Sequence, residues 1–357
     1  MWASGWPHLD GLMLKRKFLV LAGLWLLTLF VATFPGAYPL DGPMVLKALL
    51  AGLGLGEVQD PVSQMIVWQI RLPRIILAAL CGGALALAGV CLQGTLRNHL
   101  ADPFTLGISA GAACGASLIL VPNFLSTVVL QIWPSLGPSS LLALAAFLGA
   151  SLATLATLYL GSSQGRFGQN QMILAGIAVA TFLGALVALV KALNEESVTS
   201  IVFWIMGSLQ GKSWGELPLI LLTQIPAMLF LSLRWRALDL FSLGDAHAQQ
   251  MGLNVFRARL ELVLLASLLT AGCVAVAGVI GFVGLVVPHI LRLILGQNHG
   301  PLLIASFLGG GILLVLADVL ARSALSNGQE IPVGVVTALL GGPFFALLIR
   351  KKRAQSY

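Results

Sequence analysis

The chain has 357 residues, 58% of them hydrophobic and only 9% charged. An average soluble domain carries roughly 25% charged residues, so this chain has too little polar surface to face water and reads as a polytopic membrane protein. The formal net charge of +7 does not point to nucleic acid, because no basic stripe is interleaved with aromatics and basic residues gathered on cytoplasmic loops account for the excess.

In chain order, the first element is Lys15-Arg16-Lys17 followed by the apolar run Phe18–Phe34. Secretory signals share that order, but about 17 apolar residues exceed the usual 7–15 of a cleaved segment, and an uncleaved first span is expected. Nine further runs approach the roughly 20 apolar residues that a span requires: 72–92, 104–122, 139–160, 171–193, 216–233, 260–278, 280–295, 302–321 and 332–349. Between the seventh and eighth spans, Gly278-Val279-Ile280-Gly281 offers only glycine as a breaker.

With the N-terminus inside, about 14 of the 20 basic residues fall on the inner side. They include Lys15, Arg16, Lys17, Arg97, Arg257, Arg259, Arg292 and the tail Arg350-Lys351-Lys352-Arg353. Lys47, Arg71, Arg74, Lys191, Lys212 and Arg322 fall outside. The inner excess predicts that both termini are cytoplasmic. Two outer segments do not span. Residues 35–70 hold the apolar stretch Met44–Leu55, expected as a short surface helix, and Val198–Met206 is expected as a re-entrant or interfacial helix anchored by Trp204. No internal sequence repeat is visible.

The stretch Arg71–Ser109 combines two arginines, a run of small residues that suits close helix packing in lipid, and the polar loop Asn98-His99-Leu100-Ala101-Asp102-Pro103. Segment 234–259 is longer than a turn needs. Ser242 three residues ahead of Asp245 approximates a capping box, Gly252 stands where a C-terminal cap belongs, and Asn254 suits the start of the next helix. A short helix from Leu243 to Met251 follows, either a plain connector or a piece shaped to fit a groove on a partner.

The remaining candidates are sparser. Cys81, Cys91, Cys114 and Cys273 lie in apolar runs without CxxC spacing and read as small buried hydrophobes. Gly211-Lys212-Ser213 lacks the earlier glycine and the preceding strand of a phosphate-binding loop. Pro288-His289 sits inside the eighth span, where proline frees a carbonyl and the histidine either caps it or lines a pathway. His and acidic residues are too few and scattered for a metal site, and no catalytic set is present. An ion-coupled secondary transporter would need mid-span carboxylates; Asp318 is nearly the only candidate, with Glu330 at the outer edge.

The motifs RLPR at Arg71–Arg74, NHLADPFTLGISAGA, SLGDAHAQQMGLNV, GVIGFVGLVVPHILR and IPVGVVTALLGGPFF together resemble the FecCD/BtuC-type ABC permeases, membrane subunits of importers for ferric siderophores, haem and vitamin B12. The resemblance runs from about residue 15 to 350. It implies an all-α, ten-helix fold of the type II ABC importer permeases, with the whole chain (1–357) as one transmembrane domain in the bacterial inner membrane. It also implies a homodimer with two ATPase subunits below and a periplasmic binding protein above, ATP and Mg being bound by the ATPases and no cofactor by this chain.

Carried over position by position, the resemblance makes Arg71, Arg74 and Arg322 docking points for binding-protein glutamates, against plain snorkelling of Arg71 and Arg74 or an i−4 pair of Arg322 with Asp318. It makes Asn98 and Leu100 a cytoplasmic gate, with His99 standing where the family usually has proline. It makes Leu243, Gly244, Asp245, Ala248, Met251 and Gly252 a coupling helix within about 237–257. PFTLGISAGA is most similar to siderophore permeases, so a ferric siderophore is the expected cargo, with haem or cobalamin as alternatives.

Overall fold

One helix of small residues occupies the middle of the bundle. The computed structural model describes residues 8–36, 38–56, 60–121, 137–163, 166–167, 169–325 and 329–354; for Lys351, Lys352 and Arg353 of the basic tail, side chains lie outside what is described. In chain order its helices are α1 (His8–Val31), α2 (Gly42–Gly52), α3 (Pro61–Met65), a π-helical turn Ile66–Arg71, α4 (Leu72–Thr95), a 3-10 turn Pro103–Leu106, α5 (Ile108–Leu120), α6 (Pro138–Gly161) and α7 (Gln169–Leu193). There follow α8 (Val198–Ile205), α9 (Leu217–Ser242), α10 (Asp245–Gln250), α11 (Val255–Ala277), α12 (Val283–Leu295), α13 (His299–Ser323) and α14 (Val333–Ala354). A two-residue antiparallel ladder pairs Ser162 with Phe167 and Ser163 with Arg166.

Each of the ten expected spans coincides with a helix. Six stretches are long and apolar enough to cross a membrane by themselves: Pro61–Thr95, Pro138–Gly161, Asn170–Leu193, Trp214–Ser242, Val255–Ala277 and His299–Ser323. The other four differ for local reasons. In α1 the charges of Lys15, Arg16 and Lys17 fall within the helix. Helix α5 starts late because Gly107 takes a left-handed φ of 76° after the 3-10 turn. Helix α12 starts late because Gly278 ends α11 at φ 70° and Phe282, at φ 68°, restarts the helix from the left-handed region. The apolar part of α14 ends at Leu347.

The second span begins eleven residues earlier than expected, at Pro61, where the Asp60 side chain accepts the Val62 and Ser63 amides (3.1 and 3.2 Å). A wider π-turn carries it into α4 just before Pro73, a residue that cannot donate to the preceding turn. The expected surface helix is α2. It is pinned by the Trp68 indole, which donates to the Ala48 carbonyl (3.0 Å). The expected short helix Val198–Met206 is α8, and the loop after it is held by Ser208 N–H to the Ala277 carbonyl (2.8 Å) and Gly334 N–H to the Gly207 carbonyl (3.1 Å).

Buried residues make up 89% of the apolar window of α4 but only 22% of that of α7. Apolar side chains have no hydrophobic reason to leave lipid, so such burial rests on close van der Waals contact between small residues. A Cβ on Gly82 would strike the Gly310 carbonyl of α13, and one on Gly89 the Gly284 carbonyl of α12. The same approach joins Gly111 of α5 to Gly149 of α6. Cys81, Cys91 and Cys273 are buried free thiols, and Cys114 is half-buried.

These crossings predict the outcome of adding one methyl group. Gly89→Ala should cost about 1–3 kcal/mol by overpacking, whereas Gly184→Ala in α7, where a Cβ meets nothing within 4 Å, should be neutral or slightly stabilising. Thermal unfolding of the purified variants in detergent checks this; equal midpoints would remove the packing role assigned to Gly89.

Candidate functional site

Polar groups collect at the two ends of α4, separated by 24 residues and so by about 36 Å at 1.5 Å per residue. At its first end three arginines meet. Arg74 donates through Nε to both carboxylate oxygens of Asp318 (2.9 and 3.0 Å) and through Nη1 to Glu330 (2.7 Å). Arg322 lies with Nε 3.4 Å from Asp318 and donates Nη2 to the Ala32 carbonyl (2.7 Å). Arg71 donates to the carbonyls of Thr33, Phe34 and Tyr38 (2.7, 2.7 and 2.6 Å).

The three arginines expected to receive a partner therefore do come together, but with their charge turned inward. Their residues are 3%, 6% and 3% exposed for Arg71, Arg74 and Arg322. The i−4 contact of Arg322 with Asp318 is present, and Arg74 is the stronger partner of that carboxylate. Glu330, expected only as an outer-edge acid, completes the cluster. These bonds tie the end of α1, the start of α4, the end of α13 and the approach to α14.

At the other end of α4, Gln93 is 1% exposed and its amide does two things. Pro288 has no N–H to offer the carbonyl four residues earlier; that carbonyl, Gly284 O, accepts Gln93 Nε2 instead (3.0 Å). Gln93 Oε1 accepts from Arg292 one turn further along α12. The carbonyl freed by Pro288 is thus capped from a neighbouring helix, and the His289 ring packs edge-on to Phe344 of α14 with centroids 6.0 Å apart. A glutamine within an apolar run is the sequence signal that could have singled out Gln93.

The loop beyond α4 is built from its own polar groups. Arg97 has a left-handed φ of 45°. Asn98 N–H donates to Gln93 O (3.1 Å), and the Asn98 side chain accepts Leu100 N–H (2.9 Å). His99 Nδ1 lies 3.2 Å from Arg292 Nη1. Asn98 and Leu100 are half-buried, His99 exposed. Asp102, buried, accepts Phe104 N–H (3.1 Å) at the head of the 3-10 turn, and burial pushes its carboxyl up to about 6 against that bond.

The short helix of 234–259 is α10, Asp245–Gln250, one turn smaller than the expected Leu243–Met251. No capping box forms, since the Ser242 hydroxyl donates to the Asp239 carbonyl (2.6 Å). Instead Gly244 turns the chain at φ 103° and Gly252 ends the helix at φ 87°. Asn254 caps α11 as expected, accepting Arg257 N–H (3.0 Å). Asp245 joins Arg259 of α11 (2.8 and 2.9 Å) and, at 3.5 Å, Arg97 of the loop. Arg259 is 2% exposed and stacks 5.2 Å from the Phe241 ring centre. Ala248, expected on a partner-facing surface, is fully buried against the bundle; Leu243 and Met251 are the exposed apolar side chains.

The FecCD transport family matches residues 24–351. The hemin transport system permease HmuU of Yersinia pestis is 40% identical over 81% of this chain and 84% of its own length. The vitamin B12 import permease BtuC of Vibrio cholerae is 39% identical over 81% and 83%. A solved inward-facing conformation of a metal-chelate type ABC transporter superposes with a TM-score of 0.78 at 32% identity, covering 94% of this chain and 99% of that one.

Two expected outcomes test the geometry. Asp318→Ala leaves Arg74 and Arg322 buried without their shared carboxylate and should cost about 3–5 kcal/mol, more than Glu330→Ala, which leaves Asp318 in place; unfolding midpoints rank them. For Asp102, a folded value raised to about 6 from 3.8 means that the proton stabilises the folded loop. That stabilisation is full below about 3.8 and is lost as pH rises through about 6. Hydrogen exchange at the Phe104 amide should slow, relative to the intrinsic rate, between pH 7 and 5, and Asp102→Asn should remove the trend.

Proposed function

This chain belongs to the FecCD transport family and is the membrane permease of an ABC importer, not an enzyme, and from that premise we propose that it carries a ferric siderophore across the bacterial inner membrane. The family match over residues 24–351 carries the transport reading. The cargo reading rests on the run from Pro103 to Ala112, similar to siderophore permeases. Haem is the second reading, favoured by the Yersinia relative at 40% identity. In this reading two copies of the chain form the pathway, two ATPase subunits supply ATP and Mg chemistry, and a periplasmic binding protein delivers the chelate.

With both termini placed in the cytoplasm, the Arg97–Asp245 end of the bundle faces the ATPases. Helix α10 then acts as the coupling helix through Leu243 and Met251, the side chains left exposed. Asp245 bridges it to α11 and to the gate loop, so that a push on α10 is felt at Asn98 and Leu100 without an intermediate element. At the outer end, carboxylates of the binding protein would replace Glu330 and the backbone carbonyls as partners of Arg74 and Arg71. The buried pairing of Asp318 with Arg74 and Arg322 speaks against a free coupling carboxylate and so against an ion-driven carrier.

Transport by proteoliposomes containing the permease, its ATPase and its binding protein tests the proposal. Uptake of a ferric siderophore should require ATP and survive collapse of ion gradients. Uptake of haem or cobalamin in its place would replace the cargo, and gradient-driven uptake without the ATPase would overturn the mechanism. Met251→Asp, at an exposed side chain at the end of α10, should lower binding-protein-stimulated ATPase turnover at least about tenfold while leaving the permease folded; normal stimulated turnover would remove the coupling role of α10.

A further inference from the structure

Between the loop after α4 and helix α12 lies a polar pocket of about 230 Å3, lined by Gln93, Arg97, His99, Ser242, Arg292 and His299 among others. One cation on its wall, Arg292, has no anionic partner among the described residues. Asp239 is engaged by the backbone and ring of His299 (2.9 and 2.7 Å). Asp245 is engaged by Arg259 and Arg97. Arg292 is bonded only to neutral acceptors, Gln93 Oε1 and His99 Nδ1, and no carboxylate among the described residues pairs with it.

The donors suit one kind of ligand. A guanidinium has five N–H groups in a fork that matches a tetrahedral or planar oxyanion, and the two bonds above leave part of the Arg292 fork unused. Because Arg292 donates to His99 Nδ1, the neutral His99 ring carries its proton on Nε2 and is a second donor. Arg97, whose side chain is 39% exposed at the rim, holds Asp245 only at 3.5 Å from a left-handed backbone that a non-glycine residue adopts at a cost. We propose that this pocket binds a phosphate-type oxyanion, either free or as the headgroup of an anionic phospholipid, held by Arg292, His99 and Arg97. Occupancy draws Arg97 away from Asp245, so the ligand loosens the tie between the loop and α10. The pocket stands on its own residues, whatever cargo the permease carries.

The test is thermal unfolding of the full chain in detergent, titrated with inorganic phosphate and, at matched ionic strength, with potassium chloride. Phosphate should raise the midpoint saturably where chloride does not. Arg292→Gln should weaken that binding at least about tenfold, the loss of a charge-assisted bond. Should that variant fail to fold, Arg97→Gln at the exposed rim carries the same expectation. A parallel arm compares nanodiscs with and without phosphatidylglycerol. Stabilisation by that lipid alone, lost in the variant, identifies a headgroup as the source, whereas a response to free phosphate identifies a soluble ligand. Equal responses to phosphate, chloride and lipid, or binding unchanged in both variants, would overturn the proposal.

Discussion

Burial of α4 along nearly its whole length is the constraint from which the rest of the bundle follows. A helix enclosed on all but a narrow strip at Leu72, Ile76 and Leu80 must be matched by its neighbours almost everywhere. In lipid that match comes from close approach of backbones, not from a hydrophobic drive. Gly82 and Gly89 supply it against α13 and α12, where any side chain would meet a carbonyl. Once α4 is enclosed, the charged and amide groups at its ends have little solvent to turn to and find partners within the protein, while the buried Thr95 hydroxyl makes no hydrogen bond. The arginine–carboxylate cluster at one end and the Gln93 amide at the other are the two solutions.

Both solutions hold together elements distant in sequence. Arg74 reaches Asp318 and Glu330, so the start of α4, the end of α13 and the entry to α14 move as one body unless a buried ion pair is broken. Gln93 reaches the carbonyl that Pro288 leaves unbonded, so the kink of α12 is tolerated because α4 closes it. The same α12 supplies Arg292 to the loop beyond α4, while Asp245 connects that loop to the short helix α10. The loop beyond α4 and the short helix α10 thus share partners at one end of the molecule, and a displacement of either changes the bonds of the other.

Much of this was legible before any fold was known. Runs of apolar residues marked all ten spanning helices, since length and composition alone decide whether a segment suits a bilayer. Asn254 was readable as a helix cap because capping is local. The capping box at Ser242 was not realised, because the Asp239 carbonyl competed for the hydroxyl and Gly244 turned the chain instead. The helix beginning at Pro61 was missed because its signal, an aspartate before a proline, lies in a connector whose helicity depends on packing against α2. Ala248 was misplaced because a small apolar residue on a six-residue helix fits either side of it equally well.

The sequence by itself determined the class of the protein, its spans, the family to which it belongs and the residue types that would hold charge at each end. Those properties rest on composition, run length and motif order, which do not depend on what touches what. Only the tertiary structure decided where the charges point. Arg71, Arg74 and Arg322 read equally well as exposed docking points or as buried braces, because an arginine's role is set by the nearest acceptor, and here those acceptors lie 33 to 290 residues away along the chain, apart from Asp318 four residues before Arg322. For the same reason Gln93, Arg259 and Arg292 acquired roles only once the fold had brought Gly284, Asp245 and His99 to them.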